Sequence, residues 1–520
     1  MKGGKPKPLN GRLEIQKISD QLRFLDPHAD YTNFTELPLS KNTLSGLRDN
    51  HFIEMTPVQK KSIGLFLKGC DIWATAPTGS GKTLAFVIPI LDLLFTKNWS
   101  RDDGLGALII TPTRELAIQI FDSLKSIGKH HNISAGLVIG GKSFAVEAEA
   151  IGKMNILIAT PGRLLQHLDQ TPTFCIDNLQ ILVIDECDRL LDMGFQKTMN
   201  AILKSLPKSK QTCMFSATKG DALGRLATLG MSSNNRYLIS IAADKSEHKV
   251  EPFGDNTLTN LPRDEAIIPE NLKQYYFMCP LDRKIDFLAH FLRMNANSKI
   301  IVFVSSCKQV RYVFEAFCKL QPGLPLLSLH GRQKQLSRMN TYYSFCRKQS
   351  AALISTDVAS RGLDFPTIDW VIHFDRPESV ETYVHRSGRT ARYNAIGSSL
   401  LLLTPPERSF MSVLESAKYK INQYSKVDIQ RMPSTKTKLQ LVCSKHADIK
   451  YLAQRSFISY LRSLYLQCCF SVDDINSMPL KEFSESLGLI NVPRVRFLNS
   501  LSSDKNACRD DNDDSDNDSL

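Results

Sequence analysis

Two short stretches hold residues that can do chemistry together. Ala76-Pro77-Thr78-Gly79-Ser80-Gly81-Lys82-Thr83 reads as a glycine-rich turn opening a helix. In such a turn the backbone N–H groups and the helix N-terminus cradle phosphates, Lys82 adds a point charge, and the Thr83 hydroxyl is offered to Mg2+. Roughly one hundred residues later the apolar run Leu179–Ile184 delivers Asp185-Glu186-Cys187-Asp188. A carboxylate leaving a buried strand, Asp185, can hold Mg2+ partly through its water shell, and Glu186 can polarise an attacking water. Cradle, metal-holding carboxylate and base together are the equipment of a nucleoside triphosphatase. The cradle departs from the G-x-x-x-x-G-K-[ST] pattern only at Ala76, where Gly is usual.

These groups need strands ahead of them and helices behind. Residues 70–75 read as a short buried strand and 84–94 as the helix after the turn. From Phe34 to Ile241 buried runs alternate with helical patterns: Ala107–Thr111, Ser134–Ile139, Asn155–Ala159, Ile181–Ile184 and Cys213–Phe215. The spacing predicts an α/β fold with a parallel sheet, whose ligands bind at the carboxyl ends of the strands. Residues 243–270 dissolve into charged and turn-forming types and read as a linker. The alternation then restarts with Ile300–Ser305, Leu324–Leu329, Ala352–Thr356, Trp370–Phe374 and Ser398–Leu403, giving a second parallel-sheet domain over 271–426. The expected organisation is a basic N-terminal extension (1–31), a nucleotide-binding domain (32–242), the linker, the second domain, a mostly helical C-terminal domain (427–500) and an acidic disordered tail (501–520). Within the helical part, Tyr451–Phe470 reads as one helix with Phe457, Tyr460, Leu461, Leu464 and Tyr465 as its packing stripe.

The 520 residues are too many for one core, and 42% hydrophobic content supplies two. A formal net charge of +12 favours a polyanionic partner. The twelve cysteines include no C-x-x-C pair, and Cys468-Cys469 suits neither a metal site nor an ordinary disulfide, so reduced thiols in a cytosolic or nuclear compartment are expected. The basic N-terminus is not followed by an apolar signal core, and no run reaches the length of a membrane span.

Further motifs, in order over Phe34 to Arg392, make the chain resemble the DEAD-box RNA helicases of superfamily 2. The resemblance implies two tandem RecA-like domains. Phe52, Thr56 and Gln59 look like the family's adenine-reading segment, an aromatic ring to stack and a side-chain amide for the base edge. Ala76, Thr78, Gly79, Ser80, Gly81, Lys82 and Thr83 would hold ATP. Arg114 within Pro112–Ala117, Gly141, and Thr160, Gly162 and Arg163 match segments that grip an RNA backbone, as do Gln335, Arg338 and Thr356 in the second domain. Asp188, Ser216, Thr218 and His385 would couple hydrolysis to strand separation. Gly362 and Asp364 would meet the nucleotide, Asp364 at the ribose, and Arg386 and Arg389 would act as arginine fingers on the γ-phosphate.

One departure is Cys187 where the family name implies Ala, and Asp-Glu-Cys-Asp is also the signature of the subgroup acting in mRNA splicing and export. Several segments instead resemble the nucleolar branch that assembles the small ribosomal subunit: Gly162–Asp169, Ser305–Lys308, and the C-terminal run 455–498. The expectation is therefore a monomeric, ATP- and Mg2+-dependent helicase acting on pre-rRNA and snoRNA-containing duplexes in the nucleolus, with ribosome-assembly proteins as partners and no membrane. A nucleotide-dependent RNA clamp with little unwinding is the alternative.

Overall fold

The computed structural model describes residues 9–77, 79–141, 143–232, 235–241, 248–254, 271–359, 365–366, 368–391, 396–417, 419–467, 470–495 and 497. The chain forms two compact units, the first built on 1–272 with 361–367 and 387–397, the second on 273–360, 368–386 and 398–520.

The first unit holds strands β1 (Asp71–Thr75), β2 (Ala107–Ile110), β3 (Ala135–Val138), β4 (Ile156–Ala159), β5 (Ile181–Ile184), β6 (Gln211–Ser216), β7 (Arg236–Ser240) and β8 (Lys249–Pro252). Their order is β3-β4-β2-β5-β6-β1-β7-β8. Strands β2, β4 and β5 are continuous aliphatic runs because both faces are covered: every residue of these strands, and of β1 with its Asp71, Trp73 and Thr75, is buried. One face packs on Phe66, Phe86, Ile120 and their neighbours, the other on Leu164, Leu190, Ile202 and Leu226. In register, Thr75 lies between Ser216 and Ser240, so the turn after β1 and the end of β6 emerge side by side.

Two stretches depart from the sequence reading. Lys249–Pro252, expected within the linker, pairs antiparallel with β7, and the following Phe253 is buried with its ring 6.4 Å from that of Trp73. A charged edge strand with both sides largely wet carries no apolar run to announce it. The N-terminal extension contains a helix, Leu9–Phe24, that buries Ile18 and anchors itself through Glu14 Oε1, which accepts the Lys41 N–H at 2.8 Å.

The second unit holds β9 (Leu272–Met278), β10 (Lys299–Phe303), β11 (Leu326–Leu329), β12 (Ala351–Ser355), β13 (Trp370–His373), β14 (Gly397–Leu403) and β15 (Asn422–Gln423), ordered β11-β12-β10-β13-β14-β9-β15. The segment expected as a C-terminal domain adds no separate core. Its long helix, observed as Ala447–Gln467, packs along the helix Cys307–Leu320, and Phe457, Tyr460, Leu461 and Leu464 join one apolar cluster with Phe287, Val302 and Val313. Each such side chain contributes about 1.5–3 kcal/mol by burial. Among the described residues no helix is long and apolar enough to cross a membrane.

Candidate active site

The turn after β1 is built by left-handed glycines. Gly79 and Gly81 sit at φ 77° and 90°, and a Cβ on Gly81 would come 2.6 Å from Gln59 Nε2 and 2.9 Å from Thr56 Oγ1. Ala76 has no positive φ, so the missing Gly there costs the turn nothing in backbone strain. The helix Lys82–Thr96 starts two residues earlier than the apolar pattern suggested, which puts Lys82 and Thr83 in its first turn. Lys82 Nζ is folded back onto the carbonyls of Ala76 at 2.7 Å, Pro77 at 3.4 Å and Ser216 at 3.5 Å. Among the described residues the hydroxyl of Ser80 is buried without a hydrogen-bond partner. A buried hydroxyl with no partner is costly unless a ligand completes it, so this cradle fits a phosphate chain. Thr78 lies outside the described residues.

At the end of β5 the two adjacent carboxylates, Asp185 and Glu186, separate electrostatically. Burial, then the neighbouring charge of Glu186, pushes Asp185 up to about 7. Burial raises Glu186 as well, but Arg189, Lys82 and Arg389 outweigh it and hold Glu186 below the usual carboxylate range. Glu186 is therefore the ionised member of the pair, and Asp185 is the one whose charge burial opposes. Glu186 takes the left-handed backbone, φ 47°, that only a constrained non-glycine residue adopts, and its Oε2 meets Arg189 Nη1 at 3.3 Å. Cys187 donates to the Ile184 carbonyl at 3.0 Å and is fully buried, which pushes its thiol well above the ordinary range.

Asp188 reaches β6. Its Oδ2 accepts the Ala217 N–H at 3.0 Å and the Thr218 hydroxyl at 3.3 Å. Ser216 Oγ donates to the Thr218 carbonyl and accepts from Trp73 Nε1 at 3.2 Å. Trp73 went unread in the sequence because it looks like any buried aromatic.

A cavity of about 520 Å3 lies over this edge, lined by Phe52, Thr56, Gln59, Gly79, Gly81, Lys82, Thr83, Asp185, Glu186 and Arg389. That volume suits a nucleotide. Phe52 is 43% exposed, as a stacking ring must be. Gln59 is 2% exposed, its Oε1 accepts the Thr56 N–H at 2.9 Å, and its Nε2 donates to the Gly81 carbonyl at 2.9 Å. Its amide ties the aromatic segment to the phosphate turn.

The expected RNA-gripping residues are braced in distinct ways. A Cβ on Gly140 or Gly141 would meet the Arg114 guanidinium at 2.6 or 2.7 Å, so the glycine pair makes room for Arg114. Thr160 precedes the helix Pro161–Gln170, and Gly162 opens to space. Arg163 is held from two sides: its Nε contacts Glu147 Oε2 at 2.7 Å and its Nη1 donates to Gln166 at 3.0 Å. His167 joins the same Glu147 oxygen at 3.2 Å.

In the second unit Gln335 and Arg338 share one face of the helix Gln335–Arg347, and Thr356 follows β12. Nearby His330 is driven down to about 4 by burial, then by Arg311, Arg338 and Arg332, which makes this strand end neutral-histidine and arginine-rich. Arg386 is buried and forks onto Asp357, Nε to Oδ1 at 2.6 Å and Nη2 to Oδ2 at 2.8 Å. His385 is also buried, and Arg389 is 1% exposed. Gly362 and Asp364 lie outside the described residues.

Residues 56–225 match the DEAD/DEAH box helicase domain, 283–394 the helicase conserved C-terminal domain, and 446–495 the C-terminal extension described as ATP-dependent rRNA helicase SPB4-like. The chain is 46% identical over 486 residues to a protein named ATP-dependent RNA helicase dbp4 of Aspergillus oryzae, covering 93% of this chain and 58% of that one. A protein of the same name from Aspergillus terreus is 47% identical over 485 residues, with 93% and 57% covered. The chain thus spans less than three fifths of the length of these relatives. Among solved structures, Mss116p bound to ssRNA and AMP-PNP superposes with a TM-score of 0.76 at 28% identity, over 92% of this chain and 96% of that one. S. cerevisiae Dbp5 bound to RNA and ADP BeF3 shares the fold, with a TM-score of 0.64 at 23% identity over 76% and 96%. With both helicase halves matched in order and such identity sustained over nine tenths of its length, this chain belongs to the DEAD-box helicase family.

Proposed function

We propose that this chain is an ATP-dependent RNA helicase that opens short duplexes in pre-ribosomal RNA during assembly of the small ribosomal subunit. The observation that carries the reading is Asp188: it stands next to the ionised Glu186 and holds Ala217 and Thr218 directly, so a change at the hydrolytic carboxylates moves the Ser-Ala-Thr segment with them. Glu186 takes the proton of the water that attacks the γ-phosphate, and Lys82 moves off the loop carbonyls onto the phosphates. Thr83 and Asp185 would hold Mg2+, which when bound neutralises charge on the phosphate oxygens. Arg386 and Arg389 neutralise the charge that develops on the transferred phosphoryl group. Arg114, Gly141, Thr160, Gly162, Gln335, Arg338 and Thr356 contact the RNA backbone and so confer no sequence choice. Arg163, braced by Glu147 and Gln166, joins them at the RNA backbone.

The rRNA-helicase type of the C-terminal extension and the dbp4 names support the ribosomal branch over the mRNA splicing and export subgroup, although Asp-Glu-Cys-Asp occurs in the latter. Under this reading the protein works in the nucleus and nucleolus, as a monomer, with snoRNA-containing duplexes among its substrates and ribosome-assembly proteins as partners. The test is ATP hydrolysis by the purified chain with and without single-stranded RNA, beside Glu186→Gln. RNA-stimulated turnover abolished by the substitution is the expected result. Absent hydrolysis with tight ATP-dependent RNA binding would replace the helicase by a clamp.

A further inference from the structure

The second unit contains a buried ion pair that no motif includes. Lys284 and Asp375 are each 2% exposed, with Nζ 2.8 Å from Oδ1. The other carboxylate oxygen accepts the Ser305 N–H at 2.9 Å and Gln309 Nε2 at 2.8 Å. The Lys284 ammonium also lies 4.7 Å from the centre of the Phe374 ring and 5.1 Å from that of Tyr460. Burial disfavours its charge, yet Asp375 and Glu407 more than compensate and its pKa is raised, so it stays an ammonium facing two rings.

The backbone of Asp375 holds Arg386. Its carbonyl accepts Arg386 Nη1 at 3.0 Å, while Nε and Nη2 of Arg386 fork onto Asp357. The plane of the guanidinium is therefore set by two anchors. One of them, the Asp375 carbonyl, belongs to a residue whose side chain is fixed by Lys284, Ser305 and Gln309.

Tyr460 closes this arrangement from the C-terminal extension. It is 2% exposed, its ring packs 5.2 Å from that of Phe483, and its helix is tied to the second sheet's layer by Ser459 Oγ at 2.8 Å from Ser306 Oγ. Beside it lies a cavity of about 20 Å3, bounded by Lys284, Gln309, Asp375, Ser456, Tyr460 and Phe483 among others. That is room for about one water; loss of the ring would admit more and solvate the pair.

We propose that Tyr460 is a positioning residue for Arg386, acting through Lys284 and Asp375, so that the C-terminal extension sets the geometry of an arginine finger. This rests on Arg386 engaging the nucleotide as proposed above. Tyr460→Met keeps much of the volume and removes the ring face. At a temperature where the variant is folded, kcat for RNA-stimulated ATP hydrolysis is expected to fall about 10-fold, with KM for ATP and affinity for a single-stranded RNA oligonucleotide changed less than about 2-fold. Tyr460→Phe should restore kcat to within about 2-fold, since it keeps the ring. Leu464→Ala, a buried position of the same helix that does not line the cavity, should lower Tm without lowering kcat. Should Tyr460→Met fail to fold, Phe483→Leu loosens the Tyr460 ring from behind, and a fall in kcat of about 3-fold is expected. A second readout needs no activity: the 15N-labelled Nε–H of Arg386, assigned with Arg386→Lys, should exchange slowly with water and faster in Tyr460→Met. Unchanged kcat and exchange in a folded Tyr460→Met, or an equal loss in Tyr460→Phe, overturns the proposal. Wild type lacking RNA-stimulated hydrolysis overturns the helicase reading instead, and the exchange measurement still decides the positioning claim.

Discussion

Asp92 offers a sharp test of how burial governs charge in the first unit. It is 1% exposed on the helix Lys82–Thr96, accepts the Ser40 N–H at 2.7 Å through one oxygen, and has no partner on the other. Burial pushes it up to about 7, against which the hydrogen bonds from Ser40 and Thr43 pull only in part. A folded pKa above the unfolded one means that the native state keeps a proton which the unfolded chain releases. The stability contribution is complete below about pH 4, declines as pH rises, and is lost above about pH 7. A shift of about 3 units corresponds to about 4 kcal/mol between those limits. Asp92→Asn holds the neutral form at every pH and keeps an oxygen for Ser40. It should stabilise the first unit by less than about 1 kcal/mol at pH 4, and by about 4 kcal/mol at pH 8. Urea unfolding followed by tryptophan emission reads this directly, because Trp73 and Trp99 report on the first unit and a Trp370→Phe background silences the second. An effect of equal size at both pH values, or destabilisation at pH 8, would refute the reasoning.

Gly81→Ala should weaken binding of a fluorescent ATP analogue at least about 10-fold, because a left-handed backbone disfavours Ala by about 1–2 kcal/mol and the added Cβ meets Gln59 and Thr56; unchanged affinity would remove strain from the account of the cradle. Glu147→Leu leaves Arg163 and His167 without their shared buried acceptor, and a loss of about 3 kcal/mol in urea unfolding is expected, with a value below about 1 kcal/mol contradicting the clamp on Arg163. Cys187→Ala should leave RNA-stimulated ATP hydrolysis within about 2-fold, and a maleimide should fail to label Cys187 in the folded protein, since the thiol is buried and held protonated.

What the sequence made legible follows from where the information lies. Strands β2, β4 and β5 are buried on both faces, so burial writes itself as unbroken aliphatic runs. The phosphate turn is legible because its glycines are required locally by backbone angles. Strand β8 and the helix Leu9–Phe24 were not, since an edge strand of Lys-Val-Glu-Pro and a helix with one fully buried aliphatic residue have little apolar pattern to show. The bond from Trp73 to Ser216 spans 143 positions and the pair Lys284–Asp375 spans 91, and neither leaves any periodic trace.

The arginines show why a motif locates a side chain without assigning its hydrogen bonds. Arg114, Arg163 and Arg386 all stand in family motifs, and the same guanidinium, with five N–H donors, is held differently in each. Arg114 sits in space vacated by two glycines. Arg163 gives its Nε to a buried carboxylate, Glu147, and an Nη1 hydrogen to Gln166. Arg386 uses one donor on each of three nitrogens for Asp357 and Asp375, which leaves at most two to meet a phosphate and fixes the plane in which they can do so. As the proposed arginine finger, a guanidinium held so narrowly is sensitive to small displacements of Asp375. Under the positioning proposal the residues that limit them, Lys284 and Tyr460, come from outside the motifs, and Tyr460 comes from the C-terminal extension.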